Sequence, residues 1–316
     1  MPFVFAVLLF VSFLFAEDEY VFDPFAERMG AGSREIAKGG TGVADTSAFF
    51  AAYWNPGMLA FKRHIGAALH AEHSSQSRSG GSFGIEGGAG NRMGVGMVFI
   101  LRGDEDIFWE DQDRNPIGHA TPLFIFGYTG LGYRISKKDG FGVSLSMIYD
   151  RLDYNKDIGF VSEFQSPLSF DLGWFRFWNE KWQSGLQIRN LGFNSKLSAS
   201  WRRNLSREGD GVYALRPKTF EAGLTHRNLL LGKPASVSLS LLSYQEADTL
   251  FVFDPDLHSF KSKFGFEWRV INNGDLRFGI DHKKPSIGCG YALDAGSNVI
   301  FIDYAWPLSL TLRMKF

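Results

Sequence analysis

The sequence predicts an all-β chain: an antiparallel transmembrane β-barrel of about fourteen strands, preceded by a short N-terminal plug segment. Three observations carry that prediction. Apolar and polar residues alternate with period two through most of the chain after residue 60. An apolar run opens the chain as an export signal does. The links between alternating segments sort by length according to parity, as in a barrel whose termini lie on one side of a membrane.

Composition narrows the alternatives. The 316 residues carry 33 Lys plus Arg against 34 Asp plus Glu, so no basic excess marks a nucleic-acid partner. Aromatics make up 16% of the chain, with 31 Phe, a composition that suits strands and membrane interfaces. Cys289 is the sole cysteine, which rules out an internal disulfide and a cysteine metal cluster.

Residues 1–16, MPFVFAVLLFVSFLFA, read as a signal peptide ending at Ala16, followed directly by Glu17, Asp18 and Glu19. No Lys or Arg precedes the apolar core, and Leu14 is large for its place. The expected organisation is signal peptide 1–16, plug 17–63 and barrel 64–316.

The strands follow in order. In NRMGVGMVFIL, Met93, Val95, Met97 and Phe99 oppose Arg92, Gly94 and Gly96. In GFGVSLSMIY, Phe141, Val143, Leu145, Met147 and Tyr149 oppose Gly142, Ser144 and Ser146. Trp182, Leu186 and Ile188 oppose Gln183, Gln187 and Arg189; Phe264, Phe266, Trp268 and Val270 oppose Lys263, Gly265, Glu267 and Arg269. The closing stretch places Leu308, Leu310, Leu312, Met314 and Phe316 on one face, an apolar end of the kind the barrel-assembly machinery recognises. A soluble sandwich also has one apolar face per strand. Strand starts expected near 64, 81, 91, 123, 139, 167, 180, 217, 234, 260, 273, 285, 298 and 308 decide for the barrel. Short turns follow the even strands, and long links follow strands three, five, seven and nine: Arg102–Pro122, Arg151–Pro167, Gly192–Pro217 and Glu246–Ser259. The polar faces are expected to look into the lumen, where Glu267, Arg269, Arg277, Asp281, Asp303 and Arg313 pair with one another or with the plug.

The stretch GGTGVADTSAFFAAYWNPGMLA begins with Gly39 and Gly40 after Lys38, an order opposite to that of a phosphate loop, and no apolar strand leads in. Asp45, Thr46 or Ser47 can cap a short helix over Ala48–Tyr53 that Asn55-Pro56-Gly57 ends. Lumen-face glycines allow close backbone approach inside the barrel.

The run GSREIAKGGTGVADTSAFFAAYWNPGMLAF resembles the N-terminal signature of the PorV/PorQ family, relatives of the FadL outer-membrane transporters. Gly39, Gly40, Trp54, Asn55, Pro56 and Gly57 carry the match; the usual Ala before the glycine is missing, and Met58 precedes Leu59. The likeness continues through QIRNLG, PKTFEAGLTHR and the strands from Phe264 to Phe316. It implies a Gram-negative outer-membrane barrel that serves type IX secretion, with secretion-system subunits or exported cargo as partners. A FadL-like passage of hydrophobic small molecules is the alternative. The shortness of the chain, its modest loops and its polar lumen faces weigh against that alternative.

No HExxH or GxSxG occurs among the seven histidines, and His64 and His70 share a face that His73 opposes. No enzyme activity, metal or cofactor is expected. The segment Asp104–Asn115 packs six carboxylates around Phe108 and Trp109, which reads either as a solvated loop or as a partner-contact or cation-binding loop. Trp201-Arg202-Arg203 raises the same choice, with lipopolysaccharide as a further candidate. Cys289 falls on the lipid-side face with Ile287, Tyr291 and Leu293, an inert apolar position.

Overall fold

The computed structural model describes residues 31–73, 79–103, 107–110, 116–154, 161–165, 168–191, 218–245, 260–281, 284–306 and 308–316. The expected signal peptide, the first part of the expected plug, Trp201-Arg202-Arg203 and most of the long links lie outside these residues.

From its N-terminal side the barrel comprises β1 (Gly66–His73), β2 (Ser79–Gly88), β3 (Met93–Gly103), β5 (Pro116–Arg134) and β6 (Asp139–Tyr154), with the short β4 (Ile107–Glu110) between β3 and β5. After β7 (Val161–Gln165) come β8 (Ser169–Phe177), β9 (Trp182–Leu191), β10 (Lys218–Leu230), β11 (Lys233–Gln245) and β12 (Phe260–Ile271). β13 (Gly274–Asp281), β14 (Lys284–Ala295), β15 (Asn298–Ala305) and β16 (Ser309–Lys315) complete the sheet. All pairings are antiparallel. β1 pairs with both β2 and β16, and the β5–β6 pairing closes the wall, so fourteen strands form the barrel while β4 and β7 add to the ends of β5 and β6.

Closure satisfies every edge within the wall, which a bilayer demands because it offers no water to unpaired backbone. Outside, Met93, Val95, Met97, Phe99, Leu145, Met147, Phe278 and Ile287 are exposed, as the alternation predicts for a lipid face. Links after the second, fourth and later even barrel strands are tight, at residues 89–92, 135–138, 178–181, 231–232, 272–273 and 296–297. The parity rule therefore holds.

Two expected links are largely strand. Within Arg102–Pro122 lie β4 and the start of β5, and within Arg151–Pro167 lie the end of β6 and β7. Register accounts for the added strand length. Ala120 to Leu123 pairs with Tyr154 to Arg151 beyond the barrel proper, and Ile107–Trp109 pairs with Ala120–Gly118. Proline and charged residues there mask the alternation. At about 3.3 Å per residue the 19 residues of β5 extend about 60 Å, well beyond a hydrocarbon core.

Candidate functional site: the plugged lumen

Residues 31–63 fold into the lumen as α1 (Ser33–Ala37), a 3-10 turn at Gly42–Ala44, α2 (Ala51–Trp54) and a second 3-10 turn at Pro56–Phe61. Such short helical pieces cannot persist in water on their own, and their open backbone groups need partners from outside. The barrel wall supplies them. Glu86 of β2 accepts from the Ala51 amide at 2.9 Å, while Ser144 of β6 donates to the Ala52 carbonyl at 2.7 Å. Gln187 and Arg189 of β9 both donate to the Tyr53 carbonyl, at 2.9 and 2.8 Å, and the Arg189 guanidinium lies over the Tyr53 ring.

The helix therefore forms where the wall completes it, and later than expected. Asp45 does not cap it: the Asp45 carboxylate accepts from the Ser47 amide in a local turn, and Phe50, at φ 62°, precedes α2. Nor does Asn55 simply end a helix. Its side-chain oxygen accepts from the Gly57 amide, starting the second 3-10 turn, and its amide nitrogen donates to the Val43 carbonyl at 2.8 Å and the Trp174 carbonyl at 3.0 Å. Trp54 Nε1 donates to the Ala31 carbonyl at 2.9 Å. The signature residues thus tie α2 and the second 3-10 turn to Ala31 ahead of α1, to the first 3-10 turn and to β8.

Glycines make room for this plug. A Cβ on Gly142 or Gly94 would strike the Pro56 or Leu59 carbonyl, and one on Gly185 would strike that of Val43. Cross-strand register aligns Gly94, Gly132, Gly142 and Gly173 over four neighbouring strands. The sequence clusters announced close approach; only strand register shows that they form one lane. From the plug side, Gly39 sits at φ 62° with its missing Cβ about 2.6 Å from the Phe264 carbonyl oxygen, a position that only glycine fills.

The plug grips the wall in two chemically different ways. On one side Phe50, Tyr53, Trp54, Met58 and Leu59 pack against Val98 and Ile100 of β3, Phe126 and Tyr128 of β5 and Phe175 of β8. Tyr53 meets Tyr128 edge to face at 5.3 Å, and Phe61 meets Phe175 at 5.6 Å. The lumen faces are therefore not uniformly polar, contrary to the polar lumen that the alternating strands predict. Val98 and Ile100 continue the glycine face of β3, so the small residues at the start of that face do not foretell the apolar ones further along it.

On the opposite side the grip is ionic. Asp45 accepts from Arg34 at 2.9 Å, Lys38 at 2.6 Å and Arg227 at 3.2 Å. Arg34 also pairs with Glu267, Glu267 with Arg277 at 2.8 Å, Arg277 with Asp303 at 2.8 Å, and Arg313 with Asp303 at 2.7 Å. Arg269 pairs with Asp275 at 2.9 Å. Of the lumen charges named in the sequence, Glu267, Arg269, Arg277, Asp303 and Arg313 thus pair within the wall or with the plug. Burial alone pushes the Asp45 carboxyl up, but Arg34, Lys38 and Arg227 together hold it well below the usual carboxylate range.

Between plug and short turns lies a cavity of about 710 Å³, walled by ion-network members including Arg34, Asp45, Arg227 and Glu267, with Phe49, Phe61 and Phe301 among them. Deeper in the lumen, Ser33 Oγ stands 3.3 Å from His70 Nδ1, and His70 Nε2 stands 3.3 Å from Glu72 Oε2. Thr311 Oγ1 is nearer to Nδ1, at 2.9 Å, and accepts from the Ser33 amide at 2.7 Å. With Ser33 and His70 fully buried, the group is a polar clamp joining α1 to β1 and β16. His64 lies exposed ahead of β1, so it does not share the strand face of His70.

Other singled-out residues lie away from the lumen. Leu308, Leu310, Leu312 and Phe316 are exposed on the outer wall, Met314 is half-buried, and the Phe316 amide donates to the Ile65 carbonyl at 2.9 Å. Phe108 and Trp109 lie in β4, opposite His119 and Gly118, rather than in a loop. Cys289 is exposed beside Ile287 and Tyr291, as expected of the lipid face. Among the described residues no His, Cys, Asp and Glu grouping could hold a metal ion.

The sequence matches no protein-family model and no curated protein. Among solved structures the chain is similar to a deltaS2S3 mutant of the TodX monoaromatic hydrocarbon channel, with a TM-score of 0.61 at 13% identity over 90% of this chain and 98% of that one. It is also similar to the toluene transporter TbuX of Ralstonia pickettii (TM-score 0.56, 14% identity, 90% and 96% covered). A FadL homologue of Pseudomonas aeruginosa gives a TM-score of 0.53 at 11% identity, with 90% and 98% covered. At these identities the likeness is one of fold, that of a closed antiparallel β-barrel.

Proposed function

We propose that the protein passes small hydrophobic molecules across the outer membrane, past its plug. One observation carries this reading: one side of the plug meets the wall in a buried apolar region inside the lumen, formed by Phe50, Tyr53, Met58 and Leu59 against Val98, Ile100, Phe126 and Phe175. A barrel serving water or ions keeps a polar interior. An apolar lumen wall offers a hydrophobic solute a path that water does not favour. Similarity of fold to a monoaromatic hydrocarbon channel and a toluene transporter supports the same reading. The same apolar side departs from the polar lumen faces that weighed against passage of hydrophobic molecules.

The test is uptake of labelled toluene by cells that express the protein, beside cells that carry only the empty vector. Uptake several-fold above the control, reduced when Ile100→Arg places a charge on the apolar side, is the expected result. Uptake equal to the control, with heat-modifiable barrel present in the membrane, overturns the proposal. The secretion-associated role is the second reading and rests on the Trp54-Asn55-Pro56 signature. A stoichiometric exported protein or secretion subunit co-purifying in mild detergent, with no bound hydrophobic compound, would move the assignment there.

A further inference from the structure

The chain is almost neutral as a whole, but its short-turn end is not. Eight Lys and Arg side chains and only four Asp and Glu line the mouth cavity, an excess of four positive charges. Asp303, just behind Arg277 and Arg313, offsets one of them. The surrounding turns extend the same sign with Arg92, Lys137, Lys138, Lys181 and Lys233 against Asp139, Glu180 and Asp294. A concave site with walls of one sign focuses its field outward and raises the local concentration of opposite charge.

The same cations hold the plug. Arg34, Arg227 and Arg277 line the cavity while pairing with Asp45, Glu267 and Asp303. A carboxylate entering the mouth meets guanidinium groups whose present partners are the plug's anchor points.

We propose that this mouth is a docking socket for an acidic segment of a soluble periplasmic protein, and that docking loosens the ionic grip on the plug. Three features select that occupant. The basic field covers the cavity and the turns around it, a span larger than a small anion needs. The cavity cations face the lumen mouth, not the lipid wall, so phospholipid headgroups cannot reach them. Phe49, Phe61 and Phe301 among the charges give an acidic segment with an aromatic or aliphatic residue something to pack on. An incoming carboxylate competes with Asp45 and Glu267 for bidentate guanidinium contacts, and only a ligand with such a difference between seated and loosened plug can shift it. The inference rests on the outer-membrane placement and not on the transport reading.

The experiment uses the full-length mature protein in nanodiscs, with fluorescein-labelled decaglutamate as the probe. Fluorescence anisotropy reads binding, and hydrogen exchange of residues 34–47 reads the plug. The expected result is saturable binding that weakens as salt rises, because exposed charge pairs are screened. It should fall at least tenfold in the Arg63→Gln, Arg227→Gln, Lys315→Gln triple variant, with faster plug exchange on binding to the wild type. A second variant, Lys137→Gln with Lys138→Gln and Lys233→Gln, changes turns away from the plug and should weaken binding several-fold while leaving unliganded exchange unaltered. Equal affinity of both variants and wild type overturns the socket. Binding without faster plug exchange overturns the coupling. Decanoate saturating the site while decaglutamate fails to bind overturns the protein partner in favour of a small anionic amphiphile. None of these outcomes depends on toluene uptake, so the two proposals fail separately.

Discussion

Gly39 and Gly40 adopt the same left-handed backbone, yet their surroundings differ. A Cβ on Gly39 meets backbone of Phe264 and Ile280 within 2.7 Å, whereas the nearest atom to one on Gly40 is the Lys263 ammonium nitrogen at 3.6 Å. Backbone atoms of two paired strands cannot retreat as a lysine tip can. Gly40→Ala should therefore cost about 1 kcal/mol, the ordinary strain of a left-handed alanine. Gly39→Ala should cost about 3 kcal/mol and lift the plug from β12 and β13. Hydrogen exchange of residues 34–44 would register the difference; equal protection in the two variants would contradict the steric account. Asn55 shows the same economy at a polar position, since both of its side-chain ends are committed in a fully buried site.

Among the elements, the plug depends on charge for its seating, and Asp45 is the centre of that grip. Removing one partner of a buried ion pair typically costs about 3–5 kcal/mol because the other is left uncompensated. Asp45→Asn should lie near the lower end, since Arg34 and Lys38 keep Glu267 as a partner. The carboxyl is held low in the folded protein, so its contribution is present above the unfolded value of about 3.9 and disappears as pH falls through the folded one. Plug protection should thus differ between wild type and Asp45→Asn from pH 8 down to about pH 4, and converge in stronger acid. A difference that closes near pH 6.5 would point to a histidine instead. β4 belongs to this scale too. Its pairing to β5 makes Phe108 and Trp109 part of an extended hairpin, and we propose them as a partner contact beyond the barrel rim. Replacing both with Ser should weaken capture of a partner without changing heat-modifiable barrel yield; undiminished capture would remove the idea.

At the scale of the whole molecule, the barrel stands on closure, and its last strand pairs with its first. Phe316 extends that final pairing by one amide–carbonyl bond to Ile65 and exposes its ring on the outer wall. Deleting it should lower the amount of membrane-inserted, heat-modifiable barrel several-fold; normal levels on a gel with and without boiling would show that assembly does not use it. Fourteen strands, their faces and the parity of their links could be read from the sequence because each depends on neighbours two residues away or on simple chain length. The heights of β5 and β6 could not, since their upper halves are stabilised by each other across the sheet and carry Pro122 and Arg151 where alternation would be sought.

The plug divides along the same line. Its existence, its glycines and its Trp-Asn-Pro element were legible as a segment that is neither strand nor nucleotide loop. Which wall residues complete it was not: Glu86, Ser144 and Arg189 lie 35, 92 and 136 positions from the plug residues that they satisfy. So the sequence alone determined a plugged membrane barrel, because alternation and turn chemistry are local. Tertiary structure alone decided that the plug is held by apolar contacts on one side and ion pairs on the other, because only closure of the barrel brings those distant side chains into one lumen.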